Sequence, residues 1–210
     1  MPDSASSDKS PRILNVPNQL TLARIVLSIV MFAFLAWGYY QTSLVLFVIT
    51  AGTDWIDGYW ARKYGQVTQL GRVLDPFADK LLISGTFIFL AAVPPLADGI
   101  APSGIAAWMA VVIIGRELLV TTLRTFVEQG GGDFSAKWIG KWKMLLQCLA
   151  AGWSILQLTY VDQAANTWQT VPPTWMSMGL TVVAWATVLL TLYSGYTYVS
   201  AAAKFFTADK

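Results

Sequence analysis

The chain of 210 residues has no histidine and a single cysteine, Cys148. A Ser-His-Asp centre, a His-ligated zinc, an imidazole base at neutral pH and an intramolecular disulfide are therefore excluded. Charge is scarce too: Asp, Glu, Lys and Arg make up 12% of the residues, about half the share of an ordinary soluble domain. Apolar residues fill the deficit at 55%, with Trp and Phe at 10 each and a mean hydropathy of +0.53. Disorder, a fibrous repeat and a secreted disulfide scaffold do not fit that balance, whereas a polytopic membrane protein does. Whatever chemistry occurs must use carboxylates, Lys, Arg, hydroxyls or added metal, and no nucleic-acid partner is expected.

Six apolar segments stand out, at about 20–38, 42–62, 76–95, 104–127, 138–160 and 174–203. Each is near the roughly 20 residues needed to cross a hydrocarbon core of about 30 Å. The expected fold is therefore an all-α integral membrane protein of six transmembrane helices, with a polar, metal-containing pocket at its cytoplasmic side. Residues 1–13, polar and rich in Ser, read as a disordered tail, residues 14–206 as one six-helix domain and 207–210 as a C-terminal tail. The first apolar run starts too late and lasts too long for a cleaved signal peptide.

Charge placement orients the segments. The connections after segments 1, 3 and 5 contain no Lys or Arg and carry only Asp98 and Asp162 as charges. All basic residues then fall on the opposite side, which the positive-inside rule assigns to the cytoplasm together with both termini. Trp37, Tyr39, Tyr40, Trp168 and Trp175 suit the other interface as anchors. A bacterial cytoplasmic membrane is the expected location.

Segments 2 to 5 nevertheless carry charge within or beside their cytoplasmic halves, where ionisable groups are costly and mark function. The densest stretch runs from Asp54 to Asp79. Asp54, Asp57, Gly58 and Ala61 share one helical stripe, and Asp75 and Asp79 stack at i, i+4 on the next helix. The short 63–72 reversal makes the two helices antiparallel neighbours, so that two carboxylate pairs face each other. Such a group would repel itself without a counter-charge. Two hard divalent cations would supply it, and oxygen-only ligation favours Mg²⁺ or Mn²⁺ over Zn²⁺. Gly58 and Ala61 leave room for a ligand near the helix backbone, and Arg62 can grip a phosphate through its planar fork. A solvated interfacial cluster paired with Arg62, Arg72 and Lys80 is the bland alternative.

The pattern Asp-x2-Asp-Gly-x2-Ala-Arg-x8-Gly-x3-Asp-x3-Asp, eight fixed residues over 26 positions, resembles the signature of the CDP-alcohol phosphatidyltransferases. The resemblance implies a membrane-embedded homodimer that moves a phosphatidyl group from CDP-diacylglycerol to an alcohol and releases CMP. It implies that Asp54, Asp57, Asp75 and Asp79 hold two divalent cations and that Asp79 is also the base. Gly58, Ala61, Arg62 and Gly71 would line the CDP-diacylglycerol site, to which Asn18 is added.

The alcohol must be read elsewhere. The run Asn15 to Arg24 opens segment 1, with Asn18 as a helix N-cap. Gly115, Arg116, Glu117 and Arg124 lie on segment 4, and Gly140, Lys141, Trp142, Lys143 and Gln147 on segment 5. A lone cation at such a helix end more often snorkels than binds. Together, the three clusters resemble the phosphatidylglycerophosphate synthase branch, whose acceptor is glycerol 3-phosphate. Arg116, Arg124 and Lys141 would bind the acceptor phosphate, with Glu117 orienting one of them. Met144 departs from the Thr expected after Gly-Lys-x-Lys, and the 161–173 connection is longer than expected. Phosphatidylglycerol, as in a cardiolipin synthase, inositol phosphate and serine remain alternative acceptors, with the cations arguing against serine. An ion-coupled transporter is the alternative of another class, but its acids would sit in two related halves near the bilayer midplane, and no repeat is visible. A purely structural anchor would not retain four clustered acids.

Overall fold

The computed structural model describes residues 16–64, 69–130 and 138–208. They form six α-helices: α1 (Val16–Ala36), α2 (Tyr40–Tyr64), α3 (Gln69–Ala91), α4 (Ala107–Gln129), α5 (Trp138–Leu158) and α6 (Thr174–Ala208). A two-stranded antiparallel hairpin, β1 (Val161–Asp162) with β2 (Thr167–Trp168), joins α5 to α6. The all-helical expectation is met. Two of the helices, over Asn18–Ala36 and Thr174–Ala203, are long and apolar enough to cross a membrane, and α2 has a shorter apolar stretch, Tyr40–Thr53.

Helix limits differ from the apolar runs where polar residues are helical as well. The third helix starts at Gln69, within the stretch expected as a reversal and ahead of the apolar run that opens at 76, and carries Pro76 inside it. Pro76 removes one backbone donor, the bond that would reach the carbonyl four residues earlier. The first helix starts at Val16. Asn18, expected as its cap, therefore lies in the first turn, and it is buried. Pro17 occupies that same turn, where a missing N–H costs no intrahelical bond.

The first helix packs along both α2 and α3, while α6 packs along α4 and α5, and α2 also meets α5. The core between them joins Met31 and Phe32 of α1, Phe47 of α2, Phe87 and Leu90 of α3, and Ile113, Ile155 and Val188 of the other helices. Close approach is achieved by setting an aromatic ring against a glycine. Phe32 fills the space beside Gly85, Phe47 that beside Gly152, and Trp153 that beside Gly179. Small residues at helix interfaces let backbones approach and gain dispersion contacts. Buried hydroxyls are satisfied locally: Ser28, Thr50 and Thr86 each donate to a carbonyl one turn back, at 2.8, 2.6 and 2.6 Å. The outward faces are apolar, with Val26, Ile29, Val48, Val111, Val182 and Leu189 among the exposed side chains. An apolar exterior around buried polar groups is the inverse of a water-soluble surface.

One end of the bundle is closed by the connections that lack Lys and Arg. Gly38, with φ of 76°, turns the chain between α1 and α2 and lies against the Gln163 side chain of the hairpin. Gln163 also hydrogen-bonds Tyr40, which is buried and not an interfacial anchor, whereas Trp37, Tyr39 and Trp175 are exposed as expected. The Ala97 amide donates to the Asn166 carbonyl at 3.1 Å, and Gln157 Nε2 and Ser154 Oγ donate to the carbonyls of Pro102 and Ser103. These bonds tie the 92–106 connection to α5 and the hairpin.

The Phe32 and Gly85 contact gives a direct packing test. A Cβ at Gly85 would lie 2.2 Å from Phe32 Cζ, while one at Gly52 would have nothing within 4 Å. Gly85→Ala is expected to cost about 1–3 kcal/mol and to lower the thermal midpoint in detergent micelles, with Gly52→Ala unchanged or slightly raised.

Candidate functional site

The opposite end of the bundle gathers the charged residues. On α1, Asn18, Thr21, Arg24 and Ser28 recur at spacings of three, three and four and are all buried, Arg24 at 1% exposure. That polar stripe meets the start of α3. Thr21 Oγ1 donates to Asp75 Oδ1 at 2.5 Å, and Arg24 Nη1 bonds Asp79 Oδ1 at 2.9 Å. Asp75 and Asp79 are thus held by two residues spaced almost one turn apart on the facing helix, a match of the i, i+3 and i, i+4 periods. Gly71, in the first turn of α3, is buried. Asp54, Asp57, Gly58, Ala61 and Arg62 belong to α2, but their side chains lie outside the described residues. Among the described residues no group of three or more acidic or Cys side chains converges as a metal cluster.

Beyond Asp79 opens a cavity of about 590 Å³. Its wall includes Asp79 and Lys80 from α3, Arg116 and Arg124 from α4, and Lys141 and Lys143 from α5. The structure therefore brings the three cations singled out in the sequence, Arg116, Arg124 and Lys141, into one space with Asp79. Asn18 is not part of that wall. Lys80 is turned to α4, where its Nζ donates to Thr121 Oγ1 at 2.6 Å.

Glu117 is the hub of the cationic side. At 13% side-chain exposure it accepts from Lys143, from Gln147 Nε2 at 3.4 Å and from Arg116 Nη1 at 3.5 Å. A carboxylate shared by two cations offsets much of the cost of taking all three from water, and removal of one member strands the others. Arg116 is also held by α6: its Nη2 donates to Ser194 Oγ at 2.5 Å, and its guanidinium lies 5.4 Å from the Tyr198 ring centroid. The cavity thus combines a carboxylate with several fixed cations, an arrangement able to bind anions and to accept a proton beside them.

Thr21, Arg24, Lys143, Ser194 and Tyr198 had no assigned role in the sequence reading. The buried polar spacing on α1 was visible there, but a lone Arg in an apolar run reads equally as a snorkelling side chain. Ser194 and Tyr198 belong to a second such stripe, Thr187, Thr191, Ser194 and Tyr198, which carries no charge to draw notice.

Residues 14–193 match the family model described as CDP-alcohol phosphatidyltransferase. The chain belongs to the CDP-alcohol phosphatidyltransferase family. The resemblance carried by the eight signature residues is thereby borne out, and the match extends over nearly all of the helical bundle. The chain is also similar to individual members of this family. It is 35% identical to a CDP-diacylglycerol–glycerol-3-phosphate 3-phosphatidyltransferase of Bacillus subtilis, over 90% of this chain and 95% of the relative. Proteins of the same name from Rickettsia felis and Salmonella typhi are 32% and 30% identical, over 91% and 90% of this chain and 97% and 94% of their own lengths.

In this phosphatidyltransferase Glu117 carries a distinct stability consequence. Glu117→Gln keeps the shape but leaves Lys143 and Arg116 without their shared counter-charge, a loss of about 3 kcal/mol or more for a buried pair. Heating in micelles, followed by helical circular dichroism, is expected to give a clearly lower midpoint. Thr122→Ala, exposed on the same helix, is the control expected to stay near wild type.

Proposed function

We propose that this chain is a multi-pass membrane enzyme that transfers the phosphatidyl group of CDP-diacylglycerol to glycerol 3-phosphate, giving phosphatidylglycerophosphate and CMP. The observation that carries the reading is the cavity that Asp79 shares with Arg116, Arg124, Lys141 and Lys143. A phosphomonoester dianion is the acceptor headgroup such a cationic wall suits, through charge-assisted hydrogen bonds. Serine has no phosphate to engage it. The printed activity of the relatives, glycerol-3-phosphate 3-phosphatidyltransferase, supports the same acceptor.

In this reading the acceptor hydroxyl attacks the β-phosphorus of CDP-diacylglycerol. The new P–O bond forms as the bond to the bridging oxygen breaks, CMP leaves with that oxygen, and the hydroxyl proton passes to the Asp79 carboxylate. Arg24 fixes one oxygen of Asp79, and Thr21 does the same for Asp75, so both acids are oriented before substrate arrives. Arg116, Arg124 and Lys141 bind the acceptor phosphate, while Asn18, Gly58, Ala61, Arg62 and Gly71 serve the donor.

Asp54, Asp57, Asp75 and Asp79 would hold two divalent cations. Their donor atoms are all carboxylate oxygens, the set suited to Mg²⁺ or Mn²⁺, and Asp75 is solvent-exposed in the second turn of α3. Such ions, when bound, supply neutralising charge at the transferring phosphoryl group.

All six helices span the bilayer in this reading, with the termini and the cavity on the cytoplasmic side of a bacterial membrane and the hairpin on the other. The apolar exterior supports it, since lipid-facing helices need no polar face. Acyl chains can then stay in lipid while headgroups enter the polar cavity. A homodimer completes the expected assembly.

The test is acceptor choice by purified protein in CDP-diacylglycerol micelles with Mg²⁺ or Mn²⁺. Turnover is expected with glycerol 3-phosphate, not with glycerol or serine, and should vanish on chelation and return on adding metal. Preference for phosphatidylglycerol or serine would contradict the acceptor, and full turnover in excess chelator the ion-binding role.

A further inference from the structure

Arg116 is an unusual member of the cationic wall because most of its contacts come from α6, which among the described residues adds no charged side chain to that wall. At 9% exposure it is buried, yet it borders the cavity. Ser194 holds Nη2, Glu117 lies at the limit of hydrogen-bond distance from Nη1, and the Tyr198 ring lies beside the guanidinium. Gly195 completes the seat: a Cβ there would approach Arg116 Cγ to 3.2 Å, so the Arg116 side chain would have to yield by a few tenths of an ångström to admit one. The Nε–H of Arg116 is buried without a hydrogen-bond partner among the described residues. A buried donor left unmade is costly, and a ligand oxygen in the adjoining cavity would satisfy it.

We propose that Ser194 and Tyr198 of α6 are positioning residues that set the affinity for the acceptor's phosphate by fixing the guanidinium of Arg116. The inference rests on the acceptor reading above and deepens it. Arg116 has long side-chain freedom to lose on binding, and a hydroxyl and a ring that immobilise it beforehand remove that cost. Selectivity for a phosphorylated alcohol is then built partly by α6, whose Tyr198 borders the cavity beside Arg116. The hydroxyl at 194 and the ring face at 198 are the required features.

The experiment is steady-state kinetics of full-length Ser194→Ala, Ser194→Thr, Tyr198→Phe and Tyr198→Leu, with both KM values and kcat measured. Ser194→Ala and Tyr198→Leu are expected to raise the KM for glycerol 3-phosphate about 3- to 10-fold, the worth of one ordinary hydrogen bond. The KM for CDP-diacylglycerol should stay within about twofold. Ser194→Thr should behave as wild type, and Tyr198→Phe, which keeps the ring over the guanidinium, should stay closer to wild type than Tyr198→Leu, a rescue that generalised loosening of α6 would not give. An unchanged acceptor KM in Ser194→Ala, or equal rises in both KM values, would overturn the proposal. Should either truncated variant fail to fold, Gly195→Ala serves: it keeps both residues, crowds the Arg116 side chain at Cγ and is expected to raise the acceptor KM alone. An unchanged acceptor KM there would also overturn the proposal. Wild-type protein that does not use glycerol 3-phosphate would remove the acceptor reading itself, an outcome visible before any variant is compared.

Discussion

An ionised side chain inside an apolar helical bundle must find its opposite charge or a hydrogen bond on another helix, and this constraint organises the charged end of the molecule. Arg24 of α1 meets Asp79 of α3, and Glu117 of α4 meets Lys143 of α5. Neither pair joins neighbours in sequence, so each fixes the relative height and rotation of two helices. Leaving one partner alone in a low-dielectric interior costs several kcal/mol by order of magnitude, more than a slip in apolar packing would return. Glycine and aromatic contacts such as Phe32 with Gly85 bring the helices close, but charge pairing selects the register in which they do so.

The same pairing keeps a polar cavity open in an otherwise close-packed bundle. Asp79 is braced from α1, and Arg116 is braced from α4 and α6, so the acid and the cation border one space without collapsing onto each other. The other end is closed by neutral contacts, those of Gln163 and Tyr40 and of the 92–106 connection with the hairpin. One end is thus sealed while the other presents charge, which suits a phosphatidyltransferase whose donor is borne by lipid.

Much of this was legible in the sequence because apolar length and charge spacing are one-dimensional signals. The six helices, the cation-free connections at one end and the meeting of Arg116, Arg124 and Lys141 all follow from such signals. The start of α3 followed only in part: the spacing of Asp75 and Asp79 placed Asp75 on the helix, while Gln69 to Arg72 read as part of the polar reversal although they are helical. Asn18 read as a cap because nothing in its neighbours marks Val16 as already helical. Ser194 and Tyr198 escaped notice because a neutral hydroxyl and an aromatic ring in an apolar helix look like ordinary packing until a buried guanidinium is set beside them. The facing of Asp54 and Asp57 toward α3 is a matter of side chains outside the described residues.

The most direct measurement of cross-helix charge pairing is a double-mutant cycle on Arg24 and Asp79, using Arg24→Gln, Asp79→Asn and the double variant. Each protein is unfolded in mixed micelles and its free energy compared. A coupling of about 1 kcal/mol or more is expected, with the double variant less damaged than the sum of the singles. Additivity within about 0.5 kcal/mol would contradict the pairing as the interaction that sets the cavity wall.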